Sequence, residues 1–390
     1  MMLPQRLESL TPGALNLAGQ TILGTQVPVA VNRTWPVEEF LIIVTATVNA
    51  TGLTLTTGTT GQPGVDNILN IVKNVELDIN DGVQPRTVIN ASGIALLEYA
   101  AQTGLNLDRA TLASIALSAS GTVAANMTFR ITYRIPVVHP AIAEPLRTRM
   151  LMPCHTWAQD MNLKITFESA ANMYSAGALS AIAVEVVLVR RQMDATTTAA
   201  IVKSGGFIPF DLLETPYNIA VGTSGAQRFK INAPGSYAGL LLRSYLGGAT
   251  MTRNVLDQVT TPGSETVWDI ESGGVTFRQW RSKTIQIIND LSRPANGVNQ
   301  TYSPEISGAV AANTSYQPAS SVYLDFLGDG LGSDSANELG SILDVNLPVQ
   351  SGLLMEIVGN VANVATQGSQ LYVLGHRWYG DLSKWQAIQT

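Results

Sequence analysis

Two short stretches of this chain echo each other. The first reads Leu77-Asp78-Ile79-Asn80-Asp81-Gly82 and the second Trp268-Asp269-Ile270-Glu271-Ser272-Gly273. Each closes an alternating apolar run with acidic side chains and a glycine, the chemistry of a strand entering a turn. The second stands about half of the 390-residue chain beyond the first. Helical apolar spacing follows each: Ile94, Leu97 and Ala101 in one case, Phe277, Trp280, Thr284, Ile287, Ile288 and Leu291 in the other.

Other elements recur in the same order at nearly the same displacement. Phe40, Ile42, Val44, Ala46 and Val48 alternate with polar residues, the mark of a half-buried strand, and Gly239–Leu246 matches them. Val75–Ile79 matches Val267–Ile270. Phe129, Ile131 and Tyr133 match Val322, Leu324 and Phe326. Leu163, Ile165 and Phe167 match Leu353, Met355 and Ile357, and Val184–Val187 matches Leu371–Leu374. Thr51 to Pro63 reads as a Thr/Gly loop. Short helices are expected near Ala141–Met150 and Glu338–Leu343.

The expected fold is all-β: two tandem eight-stranded jelly rolls with short helices inserted in loops. The expected boundaries are an arm at 1–34, a first roll at 35–193, a linker at 194–206 and a second roll at 207–390. In the arm, Leu3, Leu7 and Leu10 have helical spacing, which predicts a turn or two of helix in Met1–Leu17. That segment is either a frayed terminus or an arm that docks under a neighbour or near a lipid surface.

Charge narrows the function. Only 13% of residues are charged, against about 25% in ordinary soluble proteins. Either much of the surface is buried against copies of the same chain, or this is a Thr/Ser-rich secreted β-protein. The net charge is −6 with no basic run, which argues against gripping a nucleic-acid backbone. No run reaches the length of an apolar membrane span, no secretory signal is expected, and the lone Cys154 rules out an intrachain disulfide.

The stretches Phe40–Val48, Asn90-Ala91-Ser92-Gly93-Ile94 and Phe129–Pro136, in a duplicated β-domain with a helix in corresponding loops, give a family resemblance. The chain resembles the double jelly-roll major capsid proteins of tailless icosahedral, membrane-containing bacteriophages of tectivirus and corticovirus type. The resemblance implies a structural role without enzymatic activity or cofactor. It implies a homotrimer that looks hexagonal because each subunit contributes two similar domains. It further implies neighbouring trimers, penton and minor capsid proteins and an internal membrane as partners, assembly in the host cytoplasm, and residence in the virion. Leu3, Arg6, Leu7 and Leu10 are in the right place for the family's inner-face, membrane-proximal arm. The rival expectation is a two-jelly-roll hydrolase or lectin acting on glycans, which needs paired carboxylates in a cleft at the domain junction.

No catalytic or metal-ligating set emerges. His139, His155 and His376 have no partner at ligand spacing, and Cys154 reads as a small apolar filler. Asp78, Asn80 and Asp81, and the loop Asp329–Glu338, have cation-binding residue types; both read as turns, and a cation at a trimer interface stays open for the second. Arg377, Trp378, Tyr379, Lys384 and Trp385 form a C-terminal patch, either the end of the second core or a contact with a neighbour or headgroups. The sharpest expectation concerns Arg130 and Arg134. Alternation buries Phe129, Ile131, Tyr133 and Ile135 and turns Arg130, Thr132 and Arg134 outward. Two arginines on one face of so charge-poor a chain mark a candidate subunit interface.

Overall fold

The computed structural model describes residues 3–10, 15–18, 22–55, 68–80, 85–103, 122–140, 142, 146–156, 161–203, 206–219, 226–231, 236–246, 252–253, 266–272, 275–282, 321–325, 343–344, 355–360 and 369–378. The first half contributes β1 (Gln5–Ser9), β2 (Leu15–Ala18), β3 (Gln26–Val31), β4 (Val37–Leu55), β5 (Val72–Asn80), β6 (Pro85–Ala91), β7 (Thr122–Val123), β8 (Thr128–Pro136), β9 (Met161–Phe167) and β10 (Tyr174–Arg191). The second contributes β11 (Phe210–Ile219), β12 (Ala226–Ile231), β13 (Ser236–Leu246), β14 (Thr252–Arg253), β15 (Thr266–Ser272), β16 (Val275–Ser282), β17 (Ser321–Asp325), β18 (Leu343–Asp344), β19 (Met355–Asn360) and β20 (Ser369–Trp378).

The pairing plan repeats. In the first half β4 lies between β10 and β8 and meets β7 near its end, while β1 and β2 line the other side of β10. The facing sheet runs β3-β9-β5-β6. In the second half β13 lies between β20 and β17 and meets β14 near its end, with β11 on the other side of β20. Its facing sheet runs β12-β19-β15-β16.

Two of the irregularities repeat as well. β5 and β6 slip register between Leu77 and Asp78, and β15 and β16 slip between Ile270 and Glu271. β4 and β10 slip between Val189 and Arg190, and β13 and β20 slip between Tyr237 and Gly239, opposite His376 and Arg377. A bulge puts two residues of one strand against one of its partner, so a shared bulge aligns the positions around it. By this marker Ile89 corresponds to Arg278, Val189 to His376 and Arg190 to Arg377. The bulge-based match at β5 and β15 shifts by two residues from the echo read in the sequence.

Alternation produces the core. In β4, Phe40, Ile42, Val44, Ala46 and Val48 are buried, while Leu41, Ile43, Thr45 and Thr47 are half-buried on the other face. β5, β9 and β10 add Val75, Leu77, Ile165, Val184 and Val186 to the same interior. Across the two layers, the Tyr133 hydroxyl on β8 donates to Leu69 O at 2.7 Å.

Several expectations change. Met1–Leu17 is not helical where described: β1 and β2 extend the sheet along β10, and Leu10 N–H donates to Val186 O at 2.9 Å. An eighteen-residue strand presents a long row of backbone donors and acceptors, and covering that edge outweighs a weak helical spacing. The segment 1–34 is therefore no separate arm, because β3 also pairs with β9. The helix expected at Thr276–Leu291 is a strand through Ser282, with the rest outside the described residues. Val275 and Phe277 alternate with Thr276 and Arg278, a period of two that the helical reading passed over. The expected loop at Thr51–Pro63 is strand to Leu55, and the linker carries a helix, Ala195–Lys203. The short helix expected near Ala141–Met150 is present as a single helical turn, Leu146–Arg149. Of Glu338–Leu343, only Leu343, in β18, is described. Phe326, Leu353, Asp81 and the Asp329–Glu338 loop also lie outside the described residues.

Candidate functional site

The helix Gly93–Gln102 begins at an N-cap, Ser92, whose hydroxyl accepts from Ala95 N–H at 3.4 Å. Ile94, Ala95, Leu96, Leu97, Tyr99 and Ala100 are all buried. A helix apolar on every side must be covered on every side. One side packs on β8 and β5 of the first roll, the other on β13 and β17 of the second. Gly93 permits the close approach, since a Cβ there would stand 2.2 Å from Val72 O. The helix is the wedge between the two rolls.

The second roll meets it with aromatic and imidazole rings. Tyr99 and Tyr323 pack edge to face with centroids 5.6 Å apart. His139 stacks on Tyr323, and its Nε2 lies 3.0 Å from the Tyr323 hydroxyl. His376 Nε2 lies 3.0 Å from Val137 O and its Nδ1 lies 2.9 Å from the Tyr99 hydroxyl. A carbonyl only accepts, so Nε2 of His376 carries the hydrogen and Nδ1 accepts from Tyr99. Burial holds His376 down to about 4. Burial also holds His139 well below its ordinary value, helped by the nearby His376 and Arg147. Both imidazoles are therefore neutral near pH 7. Gly239 leaves the space Tyr323 occupies: a Cβ there would lie 2.4 Å from the ring.

A polar contact extends the junction. Arg243, 2% exposed, donates to Ser92 Oγ and to the Tyr245 hydroxyl, each at 2.8 Å, and pairs with Glu214. Glu214 accepts the Ser92 backbone N–H at 2.8 Å. Beside it β11 pairs in parallel with β6, Leu212 opposite Ile89 and Leu213 opposite Asn90, fusing sheets of both rolls into one of ten strands among the described residues.

A groove at this junction has two lining carboxylates, Glu168 and Glu214. Both serve as local acceptors. Glu214 takes Arg243 and Ser92, while Glu168 takes the Ser169 N–H at 2.9 Å and Asn172 at 3.0 Å and faces Lys73 at 3.7 Å.

Arg134 is gripped by Glu39 on the neighbouring strand of its own roll, Nε at 2.6 Å and the second nitrogen at 2.7 Å. Glu39 belongs to the same sheet, so this pair lies within one roll. Arg130 is exposed, and Thr132, expected outward, is 8% exposed. Leu3 and Leu10 pack partly against the core, Arg6 lies 4.7 Å from the Trp35 ring centroid, and Leu7 is 67% exposed. Asp78 accepts from Lys164 at 2.5 Å and from Thr87 at 2.8 Å, so its acidity is spent on a cross-strand pair. Cys154 is buried and donates to Trp35 O at 3.1 Å. Trp378 is fully buried and Arg377 pairs with Asp211 at 2.7 Å; Tyr379, Lys384 and Trp385 lie outside the described residues.

A second charged cluster ties the first roll's start to its end. Glu38 receives Arg191 at 2.5 and 2.9 Å and Arg147 at 2.8 Å. Burial alone raises a carboxyl, but the bonds and charges of Arg191 and Arg147 outweigh it and hold Glu38 below its ordinary value. Arg190, buried, pairs with Glu8 at 2.7 Å, as its counterpart Arg377 pairs with Asp211.

The residues of the junction, Tyr99, His139, Tyr323, His376, Arg243 and Glu214, were not singled out by pattern. Their available signal was weak: His376 and Arg243 each interrupt an apolar strand, where a polar residue needs a specific partner.

No family model and no curated protein matches the chain. Solved structures do. The chain is similar to the major capsid protein of STIV, Sulfolobus Turreted Icosahedral Virus, with TM-score 0.62 and 14% identity over 99% of each chain. It is similar to the PBCV-1 virus capsid, with TM-score 0.53 and 11% identity over 97% of this chain and 94% of that one. It is also similar to major capsid protein P2 of bacteriophage PM2, with TM-score 0.51 and 7% identity over 97% of this chain and 98% of that one. What they share with this chain is the double jelly-roll fold, along almost its whole length.

Proposed function

We propose that this chain is a structural protein, the major capsid subunit of an icosahedral virus, working as a homotrimer. The observation that carries the reading is the repeated pairing plan. Two rolls with matching strands and matching bulges, locked at a buried junction, give three copies six near-equivalent units, the shape that tiles a hexagonal lattice. The low content of charged residues fits flanks that pack against neighbours, because few ions need to be desolvated. The junction groove supports this reading over glycan hydrolysis, since its two carboxylates are already bound by donors of the chain. The division into a first roll up to about residue 193 and a second roll from about 207 belongs to the same proposal, with the β1–β3 region assigned to the first roll. So do the finer partners, namely penton and minor capsid proteins and an internal membrane, along with assembly in the host cytoplasm and residence in the virion.

The test is light scattering on purified protein with electron microscopy of the same sample. A mass of three chains and particles with hexagonal outline are expected. A monomer at every concentration would sink the proposal.

A further inference from the structure

Within the chain, the second roll uses one particular patch to hold the first. Leu212 on β11 is fully buried there, beside His376 on β20 and Tyr323 on β17. The repeated bulges say which residues occupy this patch on the first roll. Val189 corresponds to His376, and its β1 partner, Leu7, corresponds to Leu212, the β11 partner of His376. Glu39 corresponds to Gly239. Counting along β8 and β17 from there, Arg134 corresponds to Tyr323.

On the first roll Val189 and Glu39 are already covered, at 4% and 8% exposed, Arg134 is half-buried, and the open part of the patch is Leu7 on the β1 edge. Leu7 is 67% exposed, where its counterpart is 0% exposed. Among the described residues β1 ends its sheet, whereas β11 pairs onward with β6. At the other end of the chain's plan, β16 ends its own sheet among the described residues, and β16 is the counterpart of β6. One roll has an unpaired edge of the receiving kind and the other an unpaired edge of the inserting kind. They cannot meet within one chain, because each roll's remaining edge already joins it to its partner. Two such complementary patches on one molecule form a head-to-tail contact, and a head-to-tail contact closes into a ring when the rotation allows.

We propose that the β1 edge carrying Leu7, with the half-buried Arg134 beside it, docks on the second roll of another copy of this chain, with β1 pairing in parallel with that copy's β16. The contact reproduces between molecules the β11–β6 contact made within each molecule. Leu7 then stands opposite the neighbour's Arg278, as Leu212 stands opposite Ile89, and Arg134 becomes a subunit-interface residue through its place in the fold. The inference rests on the trimeric reading above and adds to it which faces meet and in what register.

Directly opposed residues on neighbouring strands lie about 4.8 Å apart, within disulfide reach. The test is therefore the full chain with Leu7→Cys and Arg278→Cys, oxidised mildly or treated with a short bis-maleimide. The native Cys154 is buried and stays out of the reaction. Covalent dimers and trimers are expected on a denaturing gel, and neither single variant should give them. In parallel, Leu7→Asp should raise the concentration at which trimers dissociate by more than tenfold without moving the melting temperature of the separated subunit. Trimers of the double-cysteine variant that give no cross-linked product, together with trimers that tolerate Leu7→Asp, would overturn this docking while leaving the trimer intact. A wild-type chain that is monomeric throughout would overturn both.

Discussion

The matching patches of the two rolls have the same backbone and opposite chemistry. At the junction inside the chain, the second roll presents Leu212, Gly239, Tyr323 and His376, neutral and fully covered. On the first roll the same positions hold Leu7, Glu39, Arg134 and Val189, with a two-pronged ion pair at the centre. A contact made once, during folding, can be aromatic and dry. A face that meets water before it meets a neighbour must stay soluble, and the Arg134 guanidinium, 22% exposed and held by the buried Glu39, keeps a charge there.

The largest effect should come from breaking the dry side. Tyr99→Ala removes a ring that touches Tyr323, His139 and His376. A loss of about 3–5 kcal/mol is expected in denaturant unfolding. A loss under about 1 kcal/mol would mean the helix is not the wedge between the rolls.

Acid should attack the same side. Folded His376 ionises near 4 and an unfolded histidine near 6.5. Above pH 6.5 both states are neutral and the junction keeps its full strength. Between 6.5 and 4 only the unfolded chain gains the proton, so stability falls with pH, by about 3 kcal/mol across the window. His139 adds to the fall in the same direction. Glu38, held below its ordinary value, begins to lose its contribution as pH falls past the ordinary carboxylate value of 4.5 and has lost it below its folded value. Stability curves of the His139→Gln/His376→Gln double variant should be flat from pH 6.5 to 5. A slope equal to wild type would show that other groups set it.

The wet side should respond less. Replacing Arg130 and Arg134 with Glu weakens trimers, but the roll itself also suffers, because the carboxylate introduced at position 134 would face Glu39. A cost of about 1–2 kcal/mol to the separated subunit is expected by thermal melting. An unchanged subunit would show that the Arg134–Glu39 pair contributes nothing to the roll.

The smallest effect, and the most direct comparison, is Leu7→Ala against Leu212→Ala. In separated subunits the first should change stability by no more than about 0.5 kcal/mol, the second by about 2–5 kcal/mol. Equal costs would break the contrast between an open and a filled patch.

Much of the first roll was legible from the chain. The alternation in β4, β5, β8 and β9 gave the strands and their buried faces, because a strand's sidedness is written into every second residue. The duplication was legible because five elements recur in order, and the helical spacing of Ile94, Leu97 and Ala101 announced the junction helix. Where the reading failed, two periods competed over a few residues. Leu3, Leu7 and Leu10 fit a helix until β10 offers an open edge, and Val275–Ser282 fits a helix until β15 does. Local spacing holds no record of which distant backbone needs a partner.

The chain by itself determined that there are two β-domains and which faces of their strands are apolar. It also placed Arg134 on an outward face. Only the tertiary structure decided that Arg134 is held by Glu39, that His139 and His376 meet, and that Leu7 occupies the place of a buried Leu212. The reason is separation. Arg134 and Glu39 are 95 residues apart and His376 and Tyr99 are 277 apart, so folding alone brings them together, and no periodicity spans such distances.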